Sequence, residues 1–438
     1  MWRWTGPFLT RCSVGGTLKN SKEQVARSKV RFYYLNLLFD SVLCIVSNKK
    51  KKLFCLTLLI AHCSLLFVWA QGLTVSGLLD STVSLRAGAG DSPAFSYGLE
   101  EYASLRMQAR LREFATVFCD VNFIATAGDP AYIAAMMSGL TANGGIATEG
   151  IGQSYFAVIE PERLYFRINT DTTRLDGGLL RLPFGYGLVW RPTDFLNPVN
   201  PLLPDARLRG VLGAGLSWYA TDTLKLAAFG AAPRNAFSQS GEGGHAGLMF
   251  EQQWDKIDMQ AMYFFESPQT GSEYGIHRMG VSLKADLELG LVLDALYSYN
   301  HEQGTGIDGL SLSSGFDYSF FKGDLIVLVE YLYNGSSSST SRKTGGSFTN
   351  EHYLYTGFTW RFDDLTSAGL ALISGFSDIS FTPIVSFNRD LFQGATLIFS
   401  AQIPLDRDLF SGDGNRGELG PFSLRRYFDS NVKLRLRF

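Results

Sequence analysis

Eight basic residues lie at alternating positions in segments that show a two-residue period. This period predicts β-strands whose two faces meet different surroundings. If the basic faces enclose a common space, their charges would attract anions. The alternative is that acids such as Asp80, Glu101 and Asp120 pair with them and leave little net field. The eight residues are Arg106, Arg110, Arg112, Arg163, Arg167, Lys433, Arg435 and Arg437.

A second candidate site lies in the stretch 184–209, where four prolines from Pro192 to Pro204 stiffen the chain. Two aromatic rings there could stack on a solute, and two charged side chains could line a narrow passage. The alternative is that Trp190 and Phe195 pack the stretch against a wall while Asp194 caps a turn. The candidate constriction residues are Tyr186, Trp190, Arg191 and Asp194.

Catalytic chemistry has little support in this sequence. After residue 70 the histidines lie in separate segments without a compelling nucleophile partner, at His245, His277, His301 and His352. Cys119 is the only cysteine of that part, so neither a disulfide framework nor a zinc-ligand spacing is present. We therefore predict a protein that is not an enzyme and needs neither a metal nor a cofactor.

The charge balance argues against nucleic acid as a partner. Residues 1–70 hold 11 of the 39 Lys and Arg but only 2 of the 41 Asp and Glu. The remainder therefore has 28 basic and 39 acidic residues, a net charge of −11. A chain of this charge is a poor ligand for a polyphosphate backbone.

The strands that must position these residues are joined by connections of alternating length. Pairs of strands share very short turns, such as those at 255–256 and 363–364, whereas successive pairs are joined by longer polar or Gly-rich links. Transmembrane barrels have this asymmetry. We count about eighteen strands from 73–87 to 426–438, with sixteen as the alternative. The predicted fold is an all-β, transmembrane antiparallel β-barrel.

Individual segments carry the expected two faces. In 286–300 the odd positions hold Leu, Ala and Tyr, whereas Asp294, Ser298 and Asn300 lie on the other face. Aromatic residues collect at strand ends, with tyrosines at one end and residues such as Trp218 and Trp254 at the other. Two such belts are typical of rings at the two membrane–water interfaces.

The last strand ends with an alternating apolar row and a C-terminal aromatic residue. This pattern resembles the assembly signal of bacterial outer-membrane barrels, which the barrel-assembly machinery recognises. The resemblance implies that this machinery is a partner and that outer-membrane lipid surrounds the barrel. The residues of the predicted signal are Val432, Leu434, Leu436 and Phe438.

The N-terminal part predicts secretion. Residues 49–70 combine four lysines, an apolar run from Leu53 and a small residue, Ala70, at the expected cut. A single transmembrane anchor is the alternative. Residues 1–48 precede this signal peptide without resembling a domain, and we expect them to be a non-native extension. The barrel is expected to occupy 71–438.

The run 181–198 resembles a segment of outer-membrane barrels related to porins and alginate exporters. Its shared features are Trp190, Pro192, Thr193, Asp194, Asn197 and Pro198. The resemblance implies that this third external loop folds into the lumen and narrows it. The sequence departs from the pattern at Leu182-Pro183, where such barrels often carry Arg-Gln.

These observations predict a channel of the bacterial outer membrane for passive or substrate-specific diffusion of small solutes. A surface adhesin or receptor on a barrel scaffold is the first alternative. A hydrophobic-ligand transporter is the second, although such transporters need an N-terminal hatch for which little sequence is left. A homo-oligomer is compatible with the sequence.

Overall fold

The computed structural model describes residues 72–88, 95–111, 113–133, 146–147, 154–197, 201–202, 210–232, 243–268, 273–300, 309–335, 350–412 and 416–438. Contacts divide the chain into Met1–Ser64 and Leu65–Phe438, and the described residues all belong to the second unit. The N-terminal extension, the signal peptide with its cut near Ala70, and Arg112 lie outside the described residues and remain predictions.

Eighteen long strands form the wall. They are β1 (Gly72–Gly88), β2 (Phe95–Leu111), β3 (Ala115–Gly128), β4 (Tyr155–Asn169), β5 (Thr173–Leu180), β6 (Val211–Tyr219), β7 (Leu224–Ala231), β8 (His245–Trp254), β9 (Ile257–Glu266), β10 (Ile276–Asp286), β11 (Gly290–Asn300), β12 (Leu310–Phe320), β13 (Leu325–Asn334), β14 (His352–Asp363), β15 (Thr366–Gly375), β16 (Ser380–Phe392), β17 (Ala395–Gln402) and β18 (Arg426–Arg437).

Small elements complete the described chain. Two-residue strands lie at Ile146–Ala147 and Leu405–Asp406, and a 3₁₀ turn at Phe321–Gly323. Two short helices have both ends described, α1 (Asp408–Ser411) and α2 (Pro421–Leu424), and residues 130–133 are also helical. Among the described residues, no helix has both the length and the hydropathy of a membrane span.

The sheet closes on itself. Each strand pairs antiparallel with the next, and β1 pairs with β18 from Leu78 opposite Arg437 to Gly88 opposite Arg426. Closure gives every strand two neighbours, so no edge of backbone donors and acceptors is left open. The predicted all-β antiparallel barrel of eighteen strands is confirmed.

The C-terminal strand completes the closure at Gly77. The amide of Gly77 donates to the carbonyl of Phe438 at 2.7 Å, and the Phe438 amide returns the bond at 3.1 Å. The Phe438 ring lies over the Cα of Gly77, where any side chain would collide with it. The outer face of β18 exposes Val432, Leu434 and Phe438, whose side chains are 45%, 37% and 74% accessible, respectively. Their role as an assembly signal stays a prediction.

Glu101 does not lie on the inner face, contrary to the expectation above. It is opposite Ser81, whose hydroxyl donates to its carboxylate at 2.7 Å. The neighbouring Tyr102 is buried and donates to Asn122 at 2.9 Å on the inner face. Because side chains alternate along a strand, an inward Tyr102 places Glu101 outside.

The outer surface carries aromatic side chains at the short-turn end of the strands. Three tryptophans lie at or near the C-terminal ends of their strands: Trp218 on β6, Trp254 on β8 and Trp360 on β14. Their side chains are 49%, 52% and 42% exposed, respectively. Indole rings of this kind favour a membrane–water interface. The outer face is therefore suited to contact with lipid.

Candidate functional site

The link after β5 returns along the inside of the barrel. We call residues 181–210 the constriction loop; residues 181–197, 201–202 and 210 of it are described. Its side chains and backbone groups contact the inner faces of strands from Phe229 on β7, which packs on Phe184, to Gln402 on β17, which donates to the Leu202 carbonyl. Its inward path agrees with the porin resemblance.

Six consecutive amides of this loop donate to side chains of the inner wall. Gly185 donates to Gln260 at 3.1 Å, and the other five amides go to two carboxylates. Asp294 on β11 accepts Tyr186 at 3.1 Å and Gly187 at 3.0 Å. Glu330 on β13 accepts the amides of residues 188, 189 and 190 at 2.9, 2.8 and 2.7 Å. The loop amides from Gly185 to Trp190 are thus bound to side chains of the wall.

Aromatic packing fixes the loop on both sides of the bound stretch 185–190. Phe184 lies 5.0 Å from Phe229 and 4.9 Å from Phe264 between ring centroids. Phe195 contacts the same Phe264 edge-to-face at 4.6 Å. On its other side the Arg278 guanidinium lies 4.5 Å from the Phe195 ring centroid. Edge-to-face rings and cations over ring faces are favourable geometries, so the path of the loop is well determined.

Two of the four predicted constriction residues are buried. Trp190 is 1% exposed, with its ring centroid 6.2 Å from Tyr353 and 6.4 Å from Tyr355. Asp194 is 2% exposed and accepts the Asn197 amide at 3.2 Å. This is the placement expected from the packing alternative. Neither side chain presents a surface to a passing solute in this conformation.

Tyr186 and Arg191 are only partly buried, although the Tyr186 hydroxyl itself is buried. The Arg191 Nε donates to the carbonyl of Gly187 at 2.6 Å, which holds the guanidinium beside the bound amides. Burial, followed by the charge of Glu251, raises the pKa of Tyr186, which stays protonated. Leu188, which the sequence analysis did not single out, is 39% exposed between them.

A second link also folds inward, and nothing in the sequence analysis predicted it. Leu419, in the link between β17 and β18, is fully buried in one cluster with Trp190 and Leu202. Its amide donates to Ser380 at 3.1 Å, and its carbonyl accepts from Thr382 at 3.0 Å. The link is Gly-rich and polar, so its composition gave no sign of a buried position.

The remaining arc of the wall, formed by β18 and β1–β5, carries the predicted basic residues in a repeated pattern. Four inward aspartates each contact two basic side chains. The contacts are Asp80 with Lys433 and Arg435, Asp120 with Arg106 and Arg163, Asp176 with Arg167 and Arg174, and Asp429 with Arg86 and Arg426. The predicted pairing with acids exists, but each of these aspartates meets two bases and a positive excess remains.

Further basic side chains join this wall. Arg110 and Arg437 are exposed on the same face, and Arg181 pairs with Glu162. Arg86, Arg174 and Arg426 were missed in the sequence analysis. The alternation within β1 and β5 could have indicated Arg86 and Arg174, since each occupies the inward parity of its strand. Arg426 has the opposite parity to Lys433 and Arg435, and it lies beside an irregularity in the register with β1 that alternation could not predict.

A bulge in β4 adds an acid to the wall. The register with β3 shifts between Asp120 and Val121, so Glu162 turns inward, and its carboxylate accepts a hydrogen bond from the side-chain Nδ2 of Asn122 at 3.0 Å. A bulge places one extra residue on a strand and redirects its side chains. Simple alternation could not have predicted this orientation.

Comparison with protein-family models gives no match, and neither does a search of curated proteins. Solved structures do match. Pseudomonas aeruginosa OccK9 (OpdG) is 11% identical with a TM-score of 0.53, over 84% of this chain and 100% of that one. A BenF-like porin from Pseudomonas fluorescens Pf-5 is 11% identical with a TM-score of 0.51, over 84% and 99%. Pseudomonas aeruginosa OccK5 (OpdH) is 9% identical with a TM-score of 0.51, over 84% and 99%.

At these identities the likeness concerns the fold alone. It spans nearly the whole of each matched structure and the part of this chain that forms the barrel. The relation to alginate exporters stays a prediction. The chain therefore shares with these structures, one of which is a porin, the fold of a closed antiparallel β-barrel.

Proposed function

We propose that the protein is a channel of the bacterial outer membrane through which small anionic solutes diffuse passively. The observation that carries this proposal is the division of the lumen into two arcs. The constriction loop covers the inner side of β7 to β17, while the basic residues occupy β18 and β1–β5. Because the barrel is closed, these arcs face each other across the passage.

The basic residues of β18 and β1–β5, which we call the charged arc, would attract anions electrostatically within the narrow lumen. Rings of Arg or Lys favour anions, and the low-dielectric wall strengthens their field. The aspartates hold the guanidinium groups in place; Arg435, for example, donates to Asp80 at 2.9 and 2.8 Å. Since each of these acids serves two bases, attraction for an anion remains after the pairs have formed.

The constriction loop would supply the other side of the passage. Tyr186 and Arg191 are the proposed contacts with the solute, because these two of the four predicted residues are partly exposed. Trp190 and Asp194 would act indirectly by fixing the shape of the loop. No cofactor is needed, since the solute follows its own gradient.

The proposed partners follow from the outer surface. Lipid of the outer membrane would surround the apolar face, and the barrel-assembly machinery would recognise Val432, Leu434, Leu436 and Phe438. We also keep a homo-oligomer as a proposal.

Planar-bilayer recording of the purified barrel tests the channel proposal. Discrete open-channel steps are expected. A barrel that is folded, as shown by its heat-dependent migration in a gel, but electrically silent would contradict the channel and support a scaffold for a surface receptor.

A further inference from the structure

The inner wall contains two acids that the anion passage does not use. Asp294 and Glu330 are both fully buried, at 0% exposure, beneath the constriction loop. The described part of the chain gives neither of them a salt-bridge partner. Burying a carboxylate costs several kcal/mol unless hydrogen-bond donors replace its water. Their surroundings must therefore supply those donors.

Loop amides and wall hydroxyls supply them. Glu330 accepts three successive loop amides and the Ser313 hydroxyl, the latter at 2.6 Å. Asp294 accepts two loop amides and the hydroxyls of Thr193, at 3.4 Å, and Ser282. Both oxygens of an ionised carboxylate accept hydrogen bonds, so this group suits a site surrounded by donors. The side chain of Asn or Gln would instead turn its NH₂ group toward some of these donors.

The loop sequence is adapted to this contact. Gly185 has a φ of +80°, a conformation that favours glycine. A Cβ at Gly185 would collide with the Asp294 carboxylate, and one at Gly187 with the Trp190 carbonyl. The glycines on either side of Tyr186 thus allow the backbone to approach the wall.

We infer that Asp294 and Glu330 are positioning residues that fix the constriction loop against the wall and thereby set the width of the passage. If the loop left the wall, the hydrogen bonds between its five amides and the two carboxylates would all be broken. This inference rests on the proposed channel for its consequence, but the position of the loop can be measured separately.

The test uses a cysteine at the bound loop. Val189 is 6% exposed, so V189C in a C119S background should react slowly with a membrane-impermeant sulfonated maleimide. D294N, E330Q and G185A should each raise the labelling rate about tenfold or more, since losing one charge-assisted hydrogen bond changes an opening equilibrium by about that factor. D317N, an inward acid on β12 away from the loop contacts, is the matched control and should leave the rate unchanged.

Single-channel conductance is the second readout. The three variants should give larger or noisier openings than the parent, while D317N should not. G185A keeps both carboxylates, so it carries the test if D294N or E330Q fails to fold. Unchanged labelling in the folded variants overturns the inference. Faster labelling in a barrel that never conducts supports the positioning role and overturns the channel proposal.

Discussion

At the residue scale, the charged arc depends on aspartates that each hold two basic side chains. Asp80 contacts Lys433 at 3.7 Å and Arg435 at 2.8 Å. Removing the acid and removing a base should therefore change the field in opposite directions.

The first prediction concerns Asp80 and Arg435. R435Q should lower the chloride-to-potassium permeability ratio, because it removes one positive charge from the lumen. D80N should raise the ratio, because it removes the negative charge that two bases share. Reversal potentials in a potassium chloride gradient measure both.

The matched control lies outside the lumen. Arg389 contacts Asp363 at 3.6 Å near the short-turn end of the wall, on the outward parity of β16. R389Q changes the total charge by the same amount as R435Q but should leave the permeability ratio unchanged. If R389Q and R435Q act alike, the effect does not come from the lumen.

At the element scale, closure of the barrel depends on the contact between β18 and β1. The Phe438 ring occupies the space above Gly77. We predict that G77L displaces this ring and lowers the yield of folded barrel, measured by heat-dependent gel migration. G72L is the control, because a side chain at Gly72 meets open space on the same strand. Equal yields for G77L and G72L would contradict the role of this contact.

The elements show what a sequence can predict here. A two-residue period and alternating link lengths are local, so strand number and the inner face of β11 follow from them. Prediction of side-chain orientation fails at the bulge beside Glu162, whereas the outward position of Glu101 follows from the same alternation as the inward Arg106. The hydrogen bonds between the loop amides 185–190 and the carboxylate and amide side chains of the wall join residues 75 to 142 positions apart, which no local pattern encodes.

At the scale of the whole molecule, the division into two arcs makes the passage asymmetric. One arc presents the constriction loop, and the other presents paired charges with a positive excess. The buried indole of Trp190 illustrates why the sequence alone was ambiguous. An aromatic residue in a lumen loop can stack on a solute or pack on the wall, and only the fold distinguishes the two.

The most direct test of the central claim compares the uptake of an anion with that of a neutral solute of similar size. Proteoliposomes containing the barrel would be offered gluconate or sorbitol, neither of which crosses lipid readily. The expected result is faster uptake of gluconate, with the preference reduced in R435Q. Equal rates, or faster uptake of sorbitol, would contradict a channel that favours small anions.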